Sequence, residues 1–293
     1  MRYYLLVNPV SGNRSAMVTA ERVQRLLQEA GHEARLEATT ARGDAERRAR
    51  AAMAAGCDAV IVSGGDGTLQ EVAAALAGTP VALGVLPRGR CNDFARAVGV
   101  SRHAPPERLA ETILAGKTRA VDLGIAGSRV FLTVATLGFD SEASRFVETR
   151  QLWLRGTAAY LYAVLRVLAH FQFPVVRLRG EFGAYEGRIL LAATANSPSY
   201  GGAMMIAPGA VPDDGRFHLT LVEQVSRWTV VRMLPRVMRG THLTHPRVRV
   251  LTSAWVEYET PQAPLWICAD GESLCRTPCR FEVRARCLRV LIP

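Results

Sequence analysis

Apolar and polar positions alternate in two different ways along this chain. Up to residue 124, apolar runs with the length of buried strands alternate with longer segments whose apolar positions recur at helical spacing. The predicted strands are Tyr3–Val7, Glu33–Ala38, Asp58–Val62 and Val81–Leu86. The predicted helices are Ser15–Ala30, Gly43–Ala55, Leu69–Ala77, Asp93–Val98 and Pro105–Ala115. This alternation predicts a parallel sheet with helices on both faces.

The second pattern begins after Asp122 and consists of short runs in which apolar and polar residues alternate. The predicted strands are Val130–Val134, Val175–Arg179, Arg188–Thr194, Phe217–Val222, Trp255–Glu259, Leu265–Ala269, Arg280–Arg286 and Leu288–Leu291. Two helical stretches, 151–171 and 226–239, interrupt the series. The sequence therefore predicts an α/β domain over residues 1–124 and an antiparallel β-sandwich over residues 125–286. The tail 287–293 is a candidate to return to the first domain.

Composition and charge narrow the class of protein. An apolar content of 49% with 21% charged residues is typical of a folded protein and excludes a disordered one. We expect neither a signal peptide nor a membrane span, because the apolar runs are short or interrupted by charges. Six cysteines without Cys-x-x-Cys spacing favour reduced cytoplasmic thiols over a metal site or disulfides. The net charge of +10 suits a nucleotide, an anionic membrane or nucleic acid, or reflects an arginine-rich composition alone.

A glycine-rich segment, Ser63-Gly-Gly-Asp-Gly-Thr-Leu69, joins a predicted strand to a predicted helix. Glycines let a backbone approach a ligand closely, and a helix N-terminus offers N–H groups to an anion. The segment lacks the Gly-Lys-Ser/Thr of a P-loop, and Gln70 replaces the third glycine of a dinucleotide fingerprint. Asp66 would repel a phosphate unless a metal ion or a proton lay between them. We therefore favour a nucleotide site using Mg²⁺ over a plain turn with Asp66 or Thr68 near the helix cap.

A second turn follows the strand Val81–Leu86, and Asn92 and Asp93 then open a short helix. Because parallel strands end at a shared edge of their sheet, this turn and the glycine-rich segment can lie close together. Helix capping by Asn92 or Asp93 is the simpler interpretation, and both can hold. Asp270-Gly271 is also a hairpin signal. The stretch 226–239 is basic and amphipathic, and we favour a solvated face over a membrane-binding one.

Several short motifs occur in an order typical of a known family. They are Asn8-Pro-x-Ser-Gly12, Thr39 before Gly43-Asp-Ala45, Gly64-Gly-Asp-Gly-Thr68, Asn92-Asp-Phe-Ala-Arg96, Gly138-Phe-Asp140, Asn196 with Gly201-Gly202, Pro212-Asp-Asp-Gly215 and Asp270-Gly-Glu272. In these motifs the chain resembles the diacylglycerol kinase catalytic-domain family, which includes bacterial YegS-like lipid kinases and sphingosine kinases. The resemblance implies an NAD kinase-like nucleotide domain followed by a β-sandwich domain for the lipid substrate.

The resemblance also implies roles for individual residues. Glu272 would accept the proton of the lipid hydroxyl, and Asp66 and Asp93 would organise a catalytic Mg²⁺ or assist that base. A structural Mg²⁺ would bind the Asp214 side chain and backbone carbonyls near Val211 and Arg216. The residues implied to contact ATP are Asn8, Pro9, Thr39, Ser63, Gly64, Gly65, Asp66, Gly67, Thr68 and Leu69.

One position departs from the family pattern. Arg90 stands where the family commonly has a threonine that contacts the nucleotide, and Arg88 lies two residues earlier. A guanidinium could bind a phosphate group better than a hydroxyl, or it could fill the pocket and weaken ATP binding. We favour retained activity, with Arg90 among the ATP-binding residues.

The predicted function is that of an ATP- and Mg²⁺-dependent lipid kinase. Its acceptor would be a hydroxyl of a diacylglycerol-, phosphatidylglycerol- or sphingoid-type lipid. The alternatives are an NAD kinase-like enzyme and a catalytically disabled regulator that binds lipid or nucleotide. We expect a cytoplasmic protein in peripheral contact with a membrane and without a nucleic acid partner. The oligomeric state stays open, a homodimer included.

Overall fold

The computed structural model describes residues 1–149 and 157–293, which form two compact units. Unit 1 consists of Met1–Leu123, Pro212–Asp214 and Arg284–Pro293. Unit 2 consists of Gly124–Val211 and Gly215–Val283. Each unit is therefore built from segments that are distant in sequence, and the short piece Pro212–Asp214 had no signal in the hydrophobic pattern.

Unit 1 begins with strands and helices in alternation, which confirms the predicted α/β pattern. Its strands are β1 (Arg2–Val7), β2 (Glu33–Ala38), β3 (Ala59–Gly64), β4 (Ala82–Pro87) and the start of β5 (Thr118–Ala126). Its helices are α1 (Ser15–Glu29), α2 (Asp44–Ala54), α3 (Asp66–Leu76), α4 (Asp93–Ala97) and α5 (Pro106–Ala115). Strands β2, β1, β3 and β4 pair in this order and run parallel. All six residues of β3 and of β4 are buried, as expected for central strands of a parallel sheet.

Unit 2 carries the antiparallel strands. They are β6 (Arg129–Phe131), β7 (Val134–Gly138), β8 (Val175–Gly180), β9 (Gly183–Ala195), β10 (Phe217–Glu223), β11 (Val248–Ser253), β12 (Trp255–Glu259), β13 (Trp266–Ala269), β14 (Glu272–Arg276) and the start of β15 (Cys279–Leu291). Its described helices are α6 (Phe139–Thr149), α7 (Thr157–His170) and α8 (Arg227–Met238).

The strands of unit 2 form two sheets that share β9. Its first half pairs with β8, which continues to β12 and the start of β15. Its second half pairs with β7 on one side and β10 on the other. Between the sheets lies an apolar core that contains Phe131, Phe217, Tyr258 and Phe281, each at most 2% exposed. The predicted antiparallel β-sandwich is therefore confirmed.

Some elements differ from the prediction, and the causes are local. The predicted strand Val130–Val134 is split into β6 and β7, because the N–H groups of Leu132 and Thr133 bond to the Asp270 carboxylate at 2.7 and 2.9 Å. The two predicted C-terminal strands are one strand, β15, in which Arg286 has a positive φ of 48°. Residues 151–156 of the predicted helix 151–171 lie outside the described residues. Among the described strands and α-helices, β5, β11, β14 and α6 had not been predicted.

A cluster of charged groups holds the start of α2. The Oδ2 atom of Asp44 accepts hydrogen bonds from the backbone N–H of Thr40 at 3.0 Å and from Nε of Arg48 at 2.8 Å. Arg47 donates to the other carboxylate oxygen. These contacts, the Arg48 bond first among them, hold the pKa of the Asp44 carboxyl well below its usual range. Asp44 thus fastens the loop after β2 to the first turn of α2.

We expect Asp44→Asn to lower the free energy of unfolding by about 2 kcal/mol at neutral pH, because charge-assisted hydrogen bonds are lost. The folded-state pKa lies below the unfolded one, so this stabilisation is present above about pH 4 and is lost as the pH falls through the folded-state pKa. Urea unfolding of wild type and variant between neutral and acidic pH measures the difference. The control is Glu46→Gln on the same helix, whose partly exposed pair with Arg50 should contribute little. Equal effects of the two substitutions would contradict the prediction.

Candidate functional site

Three loops of unit 1 meet at the carboxyl edge of its parallel sheet. They follow β1, β3 and β4, the three neighbouring central strands. The N–H of Asn8 bonds to the carbonyl of Ser63 at 2.9 Å, and the N–H of Arg88 bonds to the carbonyl of Gly64 at 3.0 Å. The Asn8 side chain adds a 3.3 Å hydrogen bond to the Thr68 hydroxyl in α3. The loops are therefore held together by backbone contacts at the edge where α/β proteins commonly bind ligands.

Glycine is required where these loops touch. A Cβ atom on Gly89 would lie 2.4 Å from the Cα atom of Gly65. Gly12 has a φ of 57°, and a Cβ atom there would lie 2.6 Å from the carbonyl oxygen of Arg88. Both distances are well inside van der Waals contact, so the backbones pack directly against each other. The glycine-rich segment is thus part of a packed set of three loops.

We expect Gly89→Ala to push the loop after β4 away from Gly65. The substitution should cost about 2 kcal/mol of stability, as other forced overpacking does, and should weaken nucleotide binding by displacing the glycine-rich segment. Thermal unfolding and titration with a fluorescent ATP analogue measure the two effects. Gly209→Ala is the matched control, because its Cβ would meet nothing nearer than 3.9 Å. A Gly89→Ala protein with wild-type stability and binding would rule out the close contact.

Helix α3 starts directly after the second glycine of the segment. Gly65 occupies its N-cap position in an extended conformation and has no side chain to cap the helix. The first N–H groups of a helix have no partner within the helix, and the helix dipole adds positive potential there. The side chains of Ser63 and Leu69 are not available at this point, since Ser63 donates to the Ala16 carbonyl at 2.8 Å and Leu69 is fully buried. A phosphate group would therefore meet mainly backbone here.

Asp66 connects the glycine-rich segment to helix α4. Its Oδ1 atom accepts a hydrogen bond from the backbone N–H of Phe94 at 3.2 Å. The sequence had suggested Asn92 or Asp93 as the cap of this helix. Asn92 instead closes its own loop, through bonds of 2.8 and 2.7 Å to the N–H and carbonyl of Gly89. The cap is provided by Asp66, which lies 28 residues before Phe94. The residues of the helix itself therefore could not indicate it.

The carboxylates of Asp66 and Asp93 influence each other. Burial is the main cause that raises the pKa of the Asp66 carboxyl, and the charge of Asp93 raises it further, while the Phe94 N–H opposes both. Asp93 is buried and pairs with the Arg96 guanidinium at 2.5 Å. Mg²⁺ in phosphoryl-transfer sites is typically held by one or two carboxylates together with phosphate oxygens and waters. The two side chains therefore have the right donor chemistry for a Mg²⁺ ion.

The other residues that the resemblance implies for ATP binding lie at the ends of strands or at the start of α3. Thr39 follows β2, and its N–H and hydroxyl both bond to the Val7 carbonyl, at 2.8 and 3.3 Å. Pro9 lies in the loop after β1, Gly64 is the last residue of β3, and Gly67 lies in the first turn of α3. All of these residues belong to unit 1.

The two arginines after β4 differ in their surroundings. The Arg88 side chain is half-buried and donates to the Thr19 hydroxyl at 2.8 Å and to the carbonyls of Arg102 and Ala104 at 3.0 and 3.2 Å. Burial lowers the pKa of its guanidinium from the usual value, and its hydrogen bonds mark it as a structural residue. Arg90 is exposed, and within residues 1–149 and 157–293 no carboxylate pairs with its guanidinium. Of the two, only Arg90 has a guanidinium available to a ligand.

Glu272 lies next to a pinned hairpin in unit 2. Asp270 and Gly271 form the turn between β13 and β14 with φ of 51° and 85°, which confirms the hairpin that Asp-Gly predicted. The Asp270 carboxylate accepts from the N–H groups of Leu132 and Thr133, so this turn is anchored to the β6–β7 connection. Glu272 is half-buried and begins β14 opposite Ala269.

The implied structural metal site lies around residues 211–216. Asp213 is ion-paired with Arg119 through bonds of 2.6 and 2.7 Å, whereas Asp214 is exposed. The Arg216 side chain pairs with Glu181 at 2.8 Å, so any contribution of Arg216 to the implied metal site would come from its backbone carbonyl. In the part of the chain that the structure describes, no three acidic, histidine or cysteine side chains form a metal-binding group. A site of one carboxylate and the carbonyls of Val211 and Arg216 stays a prediction.

Unit 2 contains a cavity of about 570 Å³. Its walls come from α6, α7 and the start of β13. The Trp266 ring contacts two guanidinium groups, that of Arg145 at 4.9 Å and that of Arg276 at 5.3 Å from the ring centroid. Glu142 faces the cavity, and burial raises its pKa. A lining that combines apolar side chains with charged groups suits an amphiphilic ligand.

Comparison with known proteins agrees with this arrangement. Residues 2–126 match the diacylglycerol kinase catalytic domain, and residues 133–292 match the YegS C-terminal NAD kinase beta sandwich-like domain. The chain is 32% identical to a diacylglycerol kinase of Mycobacterium tuberculosis, over 98% of this chain and 94% of that protein. It is 34% identical to a YegS-like lipid kinase of Pseudomonas putida, over 91% and 88%. The chain therefore belongs to the diacylglycerol kinase family, a family of lipid kinases.

The fold is also shared with a solved structure. A diacylglycerol kinase from Bacillus anthracis superimposes with a TM-score of 0.75 over 100% of this chain and 97% of that one, at 20% sequence identity. Among the helices of the described residues, none combines the length and the hydrophobicity needed to cross a bilayer.

Proposed function

We propose that this protein transfers the γ-phosphate of ATP to a hydroxyl group of a membrane lipid, in a reaction that depends on Mg²⁺. The observation that carries the proposal is the packed set of three glycine loops beside the Asp66–Asp93 carboxylate pair. Backbone N–H groups at a helix start suit phosphate oxygens, and the carboxylates suit the metal ion that accompanies a nucleoside triphosphate. Family membership then favours a lipid over NAD as the acceptor.

Each unit has its own task in this proposal. Unit 1 binds ATP through Asn8, Pro9, Thr39 and the segment Ser63–Leu69, and Arg90 binds a phosphate group. Asp66 and Asp93 hold the catalytic Mg²⁺, which when bound neutralises charge on the phosphate oxygens. Unit 2 binds the lipid, and Glu272 accepts the proton of the acceptor hydroxyl as the new O–P bond forms.

Two features of unit 2 support a lipid acceptor and contact with a membrane surface. The cavity beside Trp266 combines apolar walls with the Arg145 and Arg276 guanidinium groups, which matches an amphiphile. On α8, Trp228 is 77% exposed and Met238 is 52% exposed. Exposed Arg232, Arg236 and Arg239 belong to the same helix or its end, whereas Val230 and Met233 face the core. Exposed aromatic and basic residues on one helix are typical of peripheral contact with anionic lipid.

The function is tested with ATP labelled at the γ-phosphate. Vesicles containing diacylglycerol, phosphatidylglycerol or a sphingoid base, and NAD in solution, are the acceptors. Label in one lipid class, dependent on Mg²⁺, is the expected result. Label in NAD without label in any lipid would overturn the proposal in favour of an NAD kinase-like enzyme. Nucleotide binding without turnover on any acceptor would instead identify a disabled regulator.

Arg90 decides between an active and a disabled site. If Arg90 binds a phosphate group of ATP, Arg90→Thr should weaken ATP binding by about tenfold, since a charge-assisted contact is replaced by a neutral one. Calorimetric titration with a non-hydrolysable ATP analogue measures this change. Arg25→Thr, which removes an exposed charge from α1, is the control and should leave binding unchanged. Tighter binding by Arg90→Thr than by wild type would show that the arginine obstructs the pocket.

A further inference from the structure

Two cysteines of unit 2 come together at the edge of the sandwich core. Cys275 lies near the end of β14 and Cys279 begins β15, with three residues between them. Their strands belong to different sheets: Cys275 pairs with Ile267 of β13, and Cys279 pairs with Tyr258 of β12. Both thiols are half-buried and pack against the core that contains Ile267 and Tyr258. The chain thus crosses from one sheet to the other with a thiol on each side of the crossing.

The two thiols face the same core from either side of a short turn and have unequal surroundings. Arg129 lies near Cys275 and donates from one nitrogen to the carbonyls of Ser273 and Leu274, both at 2.7 Å. Interaction with the Cys279 thiol and with this guanidinium lowers the pKa of the Cys275 thiol, although burial opposes it. Interaction with Cys275 and burial raise the pKa of the Cys279 thiol. We therefore expect Cys275 to be the nucleophile of the pair, because the thiolate is the reactive form.

The turn between the two cysteines is fixed by Thr277. This residue is buried, its N–H donates to the carbonyl of Leu265 at 2.9 Å, and its hydroxyl oxygen accepts from the Leu265 N–H at 2.9 Å. The hydroxyl groups of Thr277 and Thr260 are also hydrogen-bonded. These contacts fix the turn that joins the two cysteines, so both thiols keep their places against the shared core.

We propose that Cys275 and Cys279 form a reversible disulfide by exchange with a small-molecule disulfide such as oxidised glutathione. The Cys275 thiolate attacks one sulfur of the small disulfide, and the other sulfur leaves as a thiolate. Cys279 then releases its proton to solvent, and its thiolate attacks the Cys275 sulfur and expels the second small thiolate. The protein loses two protons and two electrons, and the small disulfide takes them up to become two thiols. Reduced glutathione reverses both steps.

Trypsin offers a direct readout, because it cleaves after Arg276, between the two cysteines. The full-length protein is incubated with oxidised glutathione, its remaining thiols are blocked at acidic pH, and it is digested without reductant. We expect Val250–Arg276 and Thr277–Arg280 to appear as one disulfide-linked species that dithiothreitol separates. Before oxidation, brief treatment with iodoacetamide should label Cys275 on the order of tenfold faster than Cys279.

Matched variants separate this pair from the other thiols. Cys268 lies in the same tryptic peptide as Cys275, so Cys268→Ser must retain the linked species, as must Cys287→Ser in unit 1. Cys279→Ser should lose it and leave Cys275 as a mixed disulfide with glutathione. Mixed disulfides on both cysteines of the wild type without the linked species would overturn the proposal. A link through Cys268 would overturn it as well.

The disulfide also has a consequence for the cavity, which rests on the proposed function. Arg276 lies between the two cysteines and stacks on Trp266 in the cavity wall. We expect oxidation to change the KM for the lipid several-fold, with reversal by dithiothreitol and no change in Cys279→Ser. An unchanged KM in a fully linked protein would contradict this coupling. Absence of turnover in the reduced protein would contradict only the proposed function, because the peptide map does not depend on activity.

Discussion

Replacing Glu272 by glutamine is expected to slow phosphoryl transfer to the lipid by about 10²–10⁴-fold, the usual range for loss of a general base. Glutamine has nearly the same shape but cannot accept the hydroxyl proton as the O–P bond forms. The anchored Asp270-Gly271 turn precedes this residue, so we expect the fold around it to persist. The measurement is kcat with labelled ATP and the preferred lipid, together with the affinity for ATP, which should not change.

The control for Glu272 is a carboxylate of the same unit outside the hairpin. Glu259 on β12 is exposed and makes a long 3.8 Å contact with Arg177, so Glu259→Gln should keep full activity. A Glu272→Gln protein with wild-type kcat would remove the residue from the role of base. A fall in kcat that is accompanied by a clear loss of thermal stability would instead assign Glu272 a structural role.

The second large effect is expected at Asp66, which is proposed both to hold Mg²⁺ and to cap α4. Asp66→Asn keeps an oxygen that can accept the Phe94 N–H but removes the negative charge. It should lower kcat by about 10²–10³-fold, as the loss of an electrostatic contact in a transition state does. Thermal stability should change little, or rise, because a buried charge beside Asp93 disappears. Asp66→Ala should lose activity and, with the cap, about 1 kcal/mol of stability.

The raised pKa of Asp66 gives this prediction a dependence on pH. A carboxylate binds Mg²⁺ only after losing its proton. The pKa of Asp66 lies above that of an ordinary aspartate. As the pH is lowered, the affinity for Mg²⁺ should therefore begin to fall at a higher pH than it would with an ordinary aspartate as the ligand. Titrating activity with Mg²⁺ at several pH values measures this fall. If Asp66→Asn keeps both kcat and the wild-type Mg²⁺ requirement, the residue has only its capping role.

Much of the first unit could be predicted from the sequence, since its elements are encoded locally. Strand β2 begins and ends at Glu33 and Ala38 as predicted, and α1 differs from its prediction by one residue. Full burial on both faces makes the central strands continuous apolar runs, and glycine ends the amphipathic helices between them. The glycine-rich segment was visible because close approach of backbone leaves glycine as the only residue that fits.

Features that join distant parts of the chain could not be predicted. The cap that Asp66 provides for α4 and the anchor that Asp270 provides for the β6–β7 connection are long-range hydrogen bonds of common residue types. The two cysteines were interpreted only by their spacing, which did not match Cys-x-x-Cys, whereas their proximity arises from the crossing between sheets. The cavity beside Trp266 is lined by elements that are distant in sequence. Their order along the chain does not indicate that they are in contact.

Strand β9, which belongs to both sheets of unit 2, limits how that unit can open. The thirteen residues of β9 contribute to one sheet through Gly183–Arg188 and to the other through Ile189–Ala195. Neither sheet can peel away without breaking hydrogen bonds of a strand that the other sheet also needs. We therefore expect local fluctuations to be confined to the edge strands and the sandwich to unfold as one cooperative unit. The lipid of the proposed function would accordingly have to enter past the helices that line the cavity, since the sheets behind them stay closed.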